Sequence, residues 1–427
     1  MTLTCPRVRP PRRAQTVAVA CLSLMLAASG CADAEEDIGE VPAQMPSQAS
    51  TIGPQGTAAM DVPERGVAPA VRVEEVSSDL EHGWDLGFLP DGQILVTERP
   101  ARLSLLSGSG ENASRRTVEA DLDDVMVQGE GGLMGMVIHP DFEQTRRFTT
   151  CQTHQQDGKP VDIRLVTWEL AEDGSAATKV TDLLTGLPLA SSGRHSGCRP
   201  ELAQDGALIV GTGDTANGSL PQDLSSLGGK VLRLNLRTGE PLPDNPFAKA
   251  QNTDQRFVLT YGHRNVQGVA PRPGTNRIFS VEHGPDINDE VNLLTPGANY
   301  GWDPAQGGTV TGYDEDVPMT DTARYPDAVN AVWRSGQTTL ATCDGTFVTG
   351  EAWGQYDGAL AVTTLKASRL MLMRLSKEGE VESVSVPEEL DGTYGRLRAA
   401  VSGPDGSLYL TTTNGDRDSL LRVTPSS

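Results

Sequence analysis

Two side chains, His195 and Asp214, have the types and spacing for proton transfer. His195 stands in the run Gly193-Arg194-His195-Ser196-Gly197, and an imidazole titrates near neutral pH, so it can accept and release a proton. Asp214 follows Gly213 at the end of a strand-like run, where a carboxylate on the far ring nitrogen would fix the tautomer. The pair predicts a general base with its orienting acid. The structural alternatives are a hydrogen-bonded histidine and an Asx turn.

A second set of residues is cationic. Arg396 and Arg398 stand two apart, on one face of a predicted strand, and Lys366 precedes them. Such a face can bind carboxylates, although a solvent-facing strand edge shows the same alternation. Arg264 lies in a loop after a strand, where a permanent cation can stabilise developing negative charge, unless it only forms a surface ion pair.

The third set is rich in oxygen ligands. Asp286, Asn288 and Glu290 alternate in one loop, which is the pattern of a calcium-binding loop. An acidic, solvated loop is the alternative. The whole chain is acidic, with 35 Lys and Arg against 57 Asp and Glu and a formal net charge of −22. This charge argues against nucleic acid and against an anionic membrane surface as partners.

Short strands joined by turns must position these residues, because helical periodicity is nearly absent. Glycine (46) and proline (28) punctuate short apolar runs. An Asp-Gly turn that enters a strand occurs three times, at Asp91-Gly92, Asp205-Gly206 and Asp405-Gly406. Hairpins repeated at such intervals indicate a radial array of small sheets, and a β-sandwich is the alternative.

The N-terminal segment predicts export. Residues 1–30 contain four arginines, an apolar stretch from Val17 to Ala28 and small residues directly before Cys31. This is the pattern of a bacterial lipoprotein signal peptide, after whose removal Cys31 carries the lipid; an ordinary secretory signal is the alternative. Residues 31–73 read as a flexible linker and 74–427 as the folded domain. We therefore expect an extracytoplasmic protein that contacts the membrane only through its lipid anchor.

Several motifs resemble, in order and spacing, those of the soluble PQQ-dependent glucose and aldose-sugar dehydrogenases. The run around His195 is the first. The others are Gly213-Asp214, Gly229–Asn235, Tyr261–Gly268, Glu282–Pro285, Asp289–Leu293, Asn299–Trp302, Leu365-Lys366 and Gly395–Arg398. The resemblance extends from about Val76 to the C-terminus. It implies an all-β fold, a six-bladed β-propeller, with pyrroloquinoline quinone (PQQ) in a polar cleft on its top face.

The resemblance also assigns roles to individual residues. His195 becomes the base, Asp214 its orienting partner and Arg264 the cation near the quinone oxygen. Those implied to bind the cofactor are Asn265, Lys366, Arg396, Arg398 and, more loosely, Glu130. The backbone oxygens of Gly284 and Pro285 are implied to hold the Ca²⁺ that polarises PQQ. Glu290, with the Tyr300 backbone oxygen, is implied to belong to a second, structural calcium site.

The chain departs from the family pattern just after the histidine, where Cys198-Arg199-Pro200 intervenes. Once Cys31 and the signal are set aside, Cys151, Cys198 and Cys343 remain, which allows three possible pairings. We predict a Cys151–Cys198 disulfide that holds the His195 loop, with Cys343 free. The region from Trp333 to Gly345 also matches poorly, which leaves the identity of the sugar open.

These observations favour PQQ- and calcium-dependent oxidation of an aldose or related sugar at C1, from lactol to lactone. No CxxCH haem motif occurs in the sequence, so electrons must pass to a separate acceptor. Two alternatives stay open, since a fold by itself does not define an activity. One is a propeller that binds glycans or proteins without catalysis, and the other is a calcium-dependent propeller lactonase.

Overall fold

The computed structural model describes residues 66–108, 114–415 and 417–426. The predicted signal peptide, residues 1–30, and residues 31–65 of the predicted linker lie outside this part of the chain. The first strand begins at Val71, three residues before the boundary predicted at 74. No helix within the described residues is long and apolar enough to cross a membrane.

The described residues form six antiparallel sheets of four strands each. Strands β1 to β6 are Val71–Leu80, Gly83–Phe88, Ile94–Glu98, Arg102–Ser107, Ser114–Val118 and Leu133–Ile138. Strands β7 to β12 are Arg147–Gln156, Lys159–Leu170, Ala177–Leu187, Arg199–Leu202, Ala207–Gly211 and Lys230–Asn235. Strands β13 to β18 are Val258–Tyr261, Val266–Pro271, Ile278–Glu282, Glu290–Leu293, Trp333–Arg334 and Thr342–Phe347. Strands β19 to β24 are Leu360–Thr364, Leu370–Leu375, Val381–Ser385, Leu397–Ser402, Leu408–Thr412 and Asp418–Pro425.

Helical structure in the described part is confined to short segments. One α-helical turn covers Phe142–Thr145, and 3₁₀ turns cover Asp254–Phe257, Gln306–Gly308, Glu351–Tyr356 and Glu388–Leu390. The prediction of an all-β chain is therefore confirmed.

The sheets are arranged as the blades of a closed ring. The first strands β2, β6, β10, β14, β18 and β22 each contact the first strand of the next blade, and β22 contacts β2. The last blade is completed by the start of the chain, because β1 pairs antiparallel with β24 from Val71–Pro425 to Leu80–Asp418. This closure joins the two ends of the domain within one blade. The predicted six-bladed β-propeller is confirmed.

The three Asp-Gly signals lie where hairpins were predicted, between the first and second strands of three blades. In each turn the aspartate Oδ1 accepts a hydrogen bond from the backbone N–H two residues later, at 3.0 Å. Each glycine adopts a positive φ of 76–83°, which other residues reach only at an energetic cost. The strands between these turns place apolar side chains in the space between neighbouring blades and fill it. Trp168, for example, is 1% exposed there.

Arg199, which stands where the sequence departs from the family pattern, is fully buried in β10, the first strand of its blade. It pairs with Asp85 at 2.7 Å and Asp344 at 3.1 Å, on two other first strands. Its Nε donates to the backbone oxygen of Gln267 at 3.0 Å. A buried charge is tolerated only when paired in this way. Arg199 thus joins four of the six blades at the centre of the ring.

The predicted disulfide between Cys151 and Cys198 is confirmed. Cys151 lies in β7 and Cys198 directly precedes β10, with their Cα atoms 6.1 Å apart. Cys343 is free and buried, as predicted. The bridge ties the chain just after His195 to the neighbouring blade.

Candidate active site

His195 and Asp214, the predicted pair, lie close together at the end of the propeller where the first strand of each blade begins and the second strand ends. His195 precedes β10 and Asp214 follows β11. Nδ1 of His195 lies 2.7 Å from Oδ1 of Asp214, and the two residues are 3% and 0% exposed. With Nδ1 engaged, Nε2 is the ring nitrogen left to exchange a proton. The geometry is that of a histidine held as a base by a carboxylate.

The second carboxylate oxygen of Asp214 is held by two residues whose role the sequence analysis missed. Trp302 Nε1 donates to Oδ2 at 2.8 Å, and the Tyr313 hydroxyl donates to the same oxygen at 2.6 Å. The backbone N–H of Ala216 donates to Oδ1 at 2.8 Å. These hydrogen bonds fix the orientation of the Asp214 carboxylate towards His195. Trp302 belongs to a motif quoted above, whereas nothing in the sequence pointed to Tyr313.

Glu130 and Asn265 hold the loop that carries His195. Glu130 Oε1 accepts the backbone N–H of His195 at 3.1 Å, and its Oε2 accepts Asn265 Nδ2 and Gln267 Nε2, each at 3.0 Å. Asn265 Oδ1 accepts the backbone N–H of Gly197 at 3.1 Å. Both residues, implied by the resemblance to bind the cofactor, make contacts here that fix the base in place. Their predicted role in binding the cofactor stays a prediction.

Arg264 precedes β14 and lies on the same side of the ring. Its guanidinium donates to the backbone oxygen of His283 at 2.9 Å and forms an ion pair with Glu315. Its Nε is buried without a hydrogen-bond partner among the described residues. A buried cation with an unused donor suits a site where negative charge must be stabilised.

His283 lies between these groups and was not singled out from the sequence. Its Nδ1 is 3.2 Å from Arg264 NH1. Burial lowers the pKa of His283 to about 4, and the charges of Arg264, His195 and Arg396 act in the same direction, against Asp289. A neutral imidazole therefore faces the cleft.

Three arginines, Arg99, Arg396 and Arg398, lie at the same end of the propeller as His195, and none forms an ion pair with a carboxylate of the described residues. Arg398 is 7% exposed, lies over the ring of Trp84 at 5.4 Å, and contacts Gln267 and Cys343 rather than an acid. Its Nε is buried and unpartnered within the described chain. Partial burial and the charge of Arg398 lower the pKa of both Arg99 and Arg396. In a chain of net charge −22, this positive charge fits a small polyanion such as PQQ, which has three carboxylates.

The other members of the predicted cationic set are placed at the same end of the propeller. Arg396 is exposed and directly precedes β22, so it and Arg398 differ in burial although the sequence put them on one strand face. Lys366 is exposed and follows β19. Arg99, which was not predicted, follows β3 and donates to the carbonyl of Gly129.

The carbonyl oxygens of Gly284 and Pro285 fit a calcium ion. Among the described residues, no donor bonds either oxygen, while the N–H of Gly284 donates to Asp289 Oδ1 at 2.9 Å. Hard cations prefer such oxygen ligands. The described residues contain no cluster of three or more His, Cys, Asp or Glu side chains that could hold a metal.

The role of Glu290, with the Tyr300 backbone oxygen, in a second calcium site stays a prediction. Oε1 of Glu290 accepts a hydrogen bond from Arg334 Nε at 3.0 Å. Burial, together with the charge of Glu282, raises the pKa of Glu290 to about 7 despite Arg334. Tyr300 lies nearby, with its ring stacked on His263 at 4.7 Å and its hydroxyl donating to the Leu293 carbonyl at 2.6 Å.

Comparisons with known proteins, made by sequence and by fold, identify the same family. A family model described as Glucose / Sorbosone dehydrogenase matches residues 80–422. The chain is 31% identical over 362 residues to the aldose sugar dehydrogenase YliI of Escherichia coli (strain K12), which covers 84% of this chain and 94% of that protein. It is 32% identical over 283 residues to the quinoprotein glucose dehydrogenase B of Acinetobacter calcoaceticus, covering 60% of this chain and 56% of that one.

Solved structures of sugar dehydrogenases have the same fold as this chain. The apo-form of the soluble aldose sugar dehydrogenase from Escherichia coli matches with a TM-score of 0.72 and 29% identity, covering 84% of this chain and 100% of that one. The PQQ-bound form of the aldose sugar dehydrogenase from Streptomyces coelicolor matches with a TM-score of 0.66 and 28% identity, covering 84% and 99%. This chain belongs to the glucose/sorbosone dehydrogenase family, the family of the soluble PQQ sugar dehydrogenases.

Proposed function

We propose that this protein oxidises an aldose or a related sugar at C1, from lactol to lactone, with PQQ and calcium. The observation that carries the proposal is the position of the His195–Asp214 pair at the same end of the propeller as three arginines that form no ion pair within the described part of the chain. A general base and an anion-binding cluster side by side serve an oxidation that uses an anionic cofactor. Neither alternative from the sequence analysis, glycan binding or lactone hydrolysis, requires both features.

The chain's own residues divide the work. His195 Nε2 takes the proton of the sugar C1 hydroxyl, and Asp214 stabilises the imidazolium that forms. Arg264 provides fixed positive charge where negative charge develops. PQQ, when bound, supplies the acceptor for the hydride that leaves C1. Loss of the proton and the hydride from one carbinol converts the lactol into the lactone.

Anion binding falls to the cationic side chains, and metal binding to backbone oxygens. Arg396, Arg398 and Lys366 are the residues that would hold the PQQ carboxylates. The carbonyl oxygens of Gly284 and Pro285 would hold calcium. Asn265 and Glu130 keep the His195 loop in place next to them. Electrons then leave to a separate acceptor, because the sequence has no haem attachment motif.

Reconstitution of the apoprotein tests this function. Purified apoprotein receives PQQ and calcium, and reduction of a redox dye is followed with a panel of aldoses. Dye reduction that needs PQQ, calcium and sugar together supports the proposal. Absence of reduction with every aldose and sugar aldehyde, despite bound PQQ, would sink it. A lactone-hydrolysis assay on the same protein addresses the lactonase alternative.

We also propose that the mature protein stands outside the cytoplasm on a lipid anchor at Cys31. The support is the sequence pattern of residues 1–31 alone, since these residues lie outside the described structure.

A further inference from the structure

We propose that Tyr313 and Glu315, two positions apart on a single loop, form a clasp that positions both halves of the active site. The inference rests on the proposed function. It concerns residues 294–332, which connect β16 to β17. Neighbouring antiparallel strands need only about 2–5 connecting residues, and much longer loops usually carry function. The two side chains of the clasp reach the base and the cation, respectively.

On the base side, Tyr313 contacts Asp214, and its hydroxyl oxygen also lies 3.2 Å from Nδ1 of His195. Its hydroxyl donates to Asp214 Oδ2 at 2.6 Å, on the oxygen opposite to the one that faces His195. Its ring centroid is 5.8 Å from that of His195 and 6.1 Å from that of Trp302. Burial and the charge of Asp214 raise the pKa of Tyr313, so the phenol keeps its proton and remains a donor. Tyr313 thereby restricts the carboxylate to the orientation that serves His195.

On the cation side, Glu315 bridges two arginines. One carboxylate oxygen pairs with Arg264, and the other accepts Arg194 NH2 at 2.6 Å. Burial opposes ionisation of Glu315, but Arg264 and Arg194 outweigh it and hold the pKa of the carboxyl below its usual range. The Arg194 guanidinium also lies 5.5 Å from the centre of the Tyr313 ring, so it links the two residues of the clasp.

Asp314, between them, anchors the segment to its own loop. Its backbone N–H donates to the carbonyl of Pro304 at 3.0 Å, and its Oδ2 accepts Gln306 Nε2 at 2.7 Å. The side chains on either side are therefore presented by a fixed backbone. Tyr313 and Glu315 are positioning residues, since Tyr313 holds the Asp214–His195 pair and Glu315 holds Arg264.

The first test needs no cofactor. Apoprotein with ¹⁵N-labelled histidine is observed by NMR, and the His195 Nδ1–H resonance is assigned by its loss in His195→Gln. Tyr313→Phe, which removes only the hydroxyl, is expected to shift or broaden this resonance. Tyr325→Phe is the matched control, because its hydroxyl donates to Asp303 in the same loop at 2.7 Å. An unchanged resonance in Tyr313→Phe would overturn the base half of the clasp.

The second test uses reconstituted enzyme. We expect Tyr313→Phe and Glu315→Gln each to lower kcat about tenfold, the effect of one well-placed hydrogen bond, with KM changed less. Glu315→Gln removes a negative charge beside the cleft, so its affinity for PQQ should equal or exceed that of the parent. Wild-type kcat in Glu315→Gln, or a parallel loss of PQQ affinity and kcat, would overturn the cation half.

Failure of the clasp and failure of the proposed function have different outcomes. A parent protein that oxidises no sugar contradicts the proposed function, while the NMR comparison still reports whether Tyr313 positions the Asp214–His195 pair. Glu315 is half-buried at the rim, so its variant also provides a test if the tyrosine variant does not fold.

Discussion

Nδ1 of His195 lies 2.7 Å from Oδ1 of Asp214, although one residue precedes β10, the other follows β11, and they are 19 positions apart. His195→Ala should therefore remove turnover without removing the cofactor site. Loss of a positioned general base costs about 10²–10⁴-fold in kcat. PQQ titration at saturating calcium should remain near the parent curve. His139→Gln, a buried histidine remote from the cleft, is the control, and parent-like turnover in His195→Ala would refute its assignment as base.

For Arg396 and Arg398 we expect the opposite, a loss of cofactor binding that precedes any loss of turnover. Arg396→Ala combined with Arg398→Ala should weaken PQQ uptake first, because these side chains supply positive charge that no carboxylate of the described residues neutralises. Excess PQQ should restore part of the rate. Arg422→Ala, which removes an ion pair with Asp405 at 2.7 Å on the last blade, is the matched control. Unaltered PQQ binding in the double variant would show that the cofactor lies elsewhere.

Calcium removal should affect both activity and stability. The free carbonyl oxygens of Gly284 and Pro285 are the basis for this expectation. A ligand that binds only the folded state at 100 times its Kd stabilises it by about 2.7 kcal/mol. Chelation should therefore lower Tm and abolish dye reduction, and added calcium should restore both. Full activity after exhaustive chelation and dialysis would contradict a metal site.

His139 should make the fold sensitive to acid. Burial, with the charges of Arg147 and Arg237, lowers its pKa to about 4 against the opposing charge of Asp141. The unfolded chain, with a histidine pKa near 6.5, binds more protons between these values, so stability falls as pH drops from about 6.5 to 4. The loss is on the order of 2 kcal/mol. Denaturant unfolding at several pH values should show a shallower dependence in His139→Gln, and an identical dependence would contradict the assignment.

Cys31 should decide where the protein resides. The mature protein is expected to partition into detergent, and Cys31→Ser should release it to the medium. Cys343→Ser, which removes the buried free thiol, is the control for a general effect of losing a cysteine. Membrane association that persists in Cys31→Ser would exclude the lipid anchor.

Much of the fold followed from local chemistry. The Asp-Gly turns at Asp91, Asp205 and Asp405 need no distant partner, because aspartate bonds its own backbone and glycine accepts positive φ. Their recurrence, together with the family motifs, predicted the propeller. The same motifs predicted the His195–Asp214 pair and located Arg264 and Arg398.

Other features depend on contacts that no local pattern encodes. Tyr313 and Glu315 come from a loop without periodicity, and they reach Asp214 and Arg264 only because the loop folds back over the ring. Arg334 reaches Glu290 for the same reason. The amino-acid sequence by itself determined which residues are charged and which segments form turns and strands. Closure of the ring decided which charges meet, because it brings strand ends that are distant in sequence together at one end of the propeller.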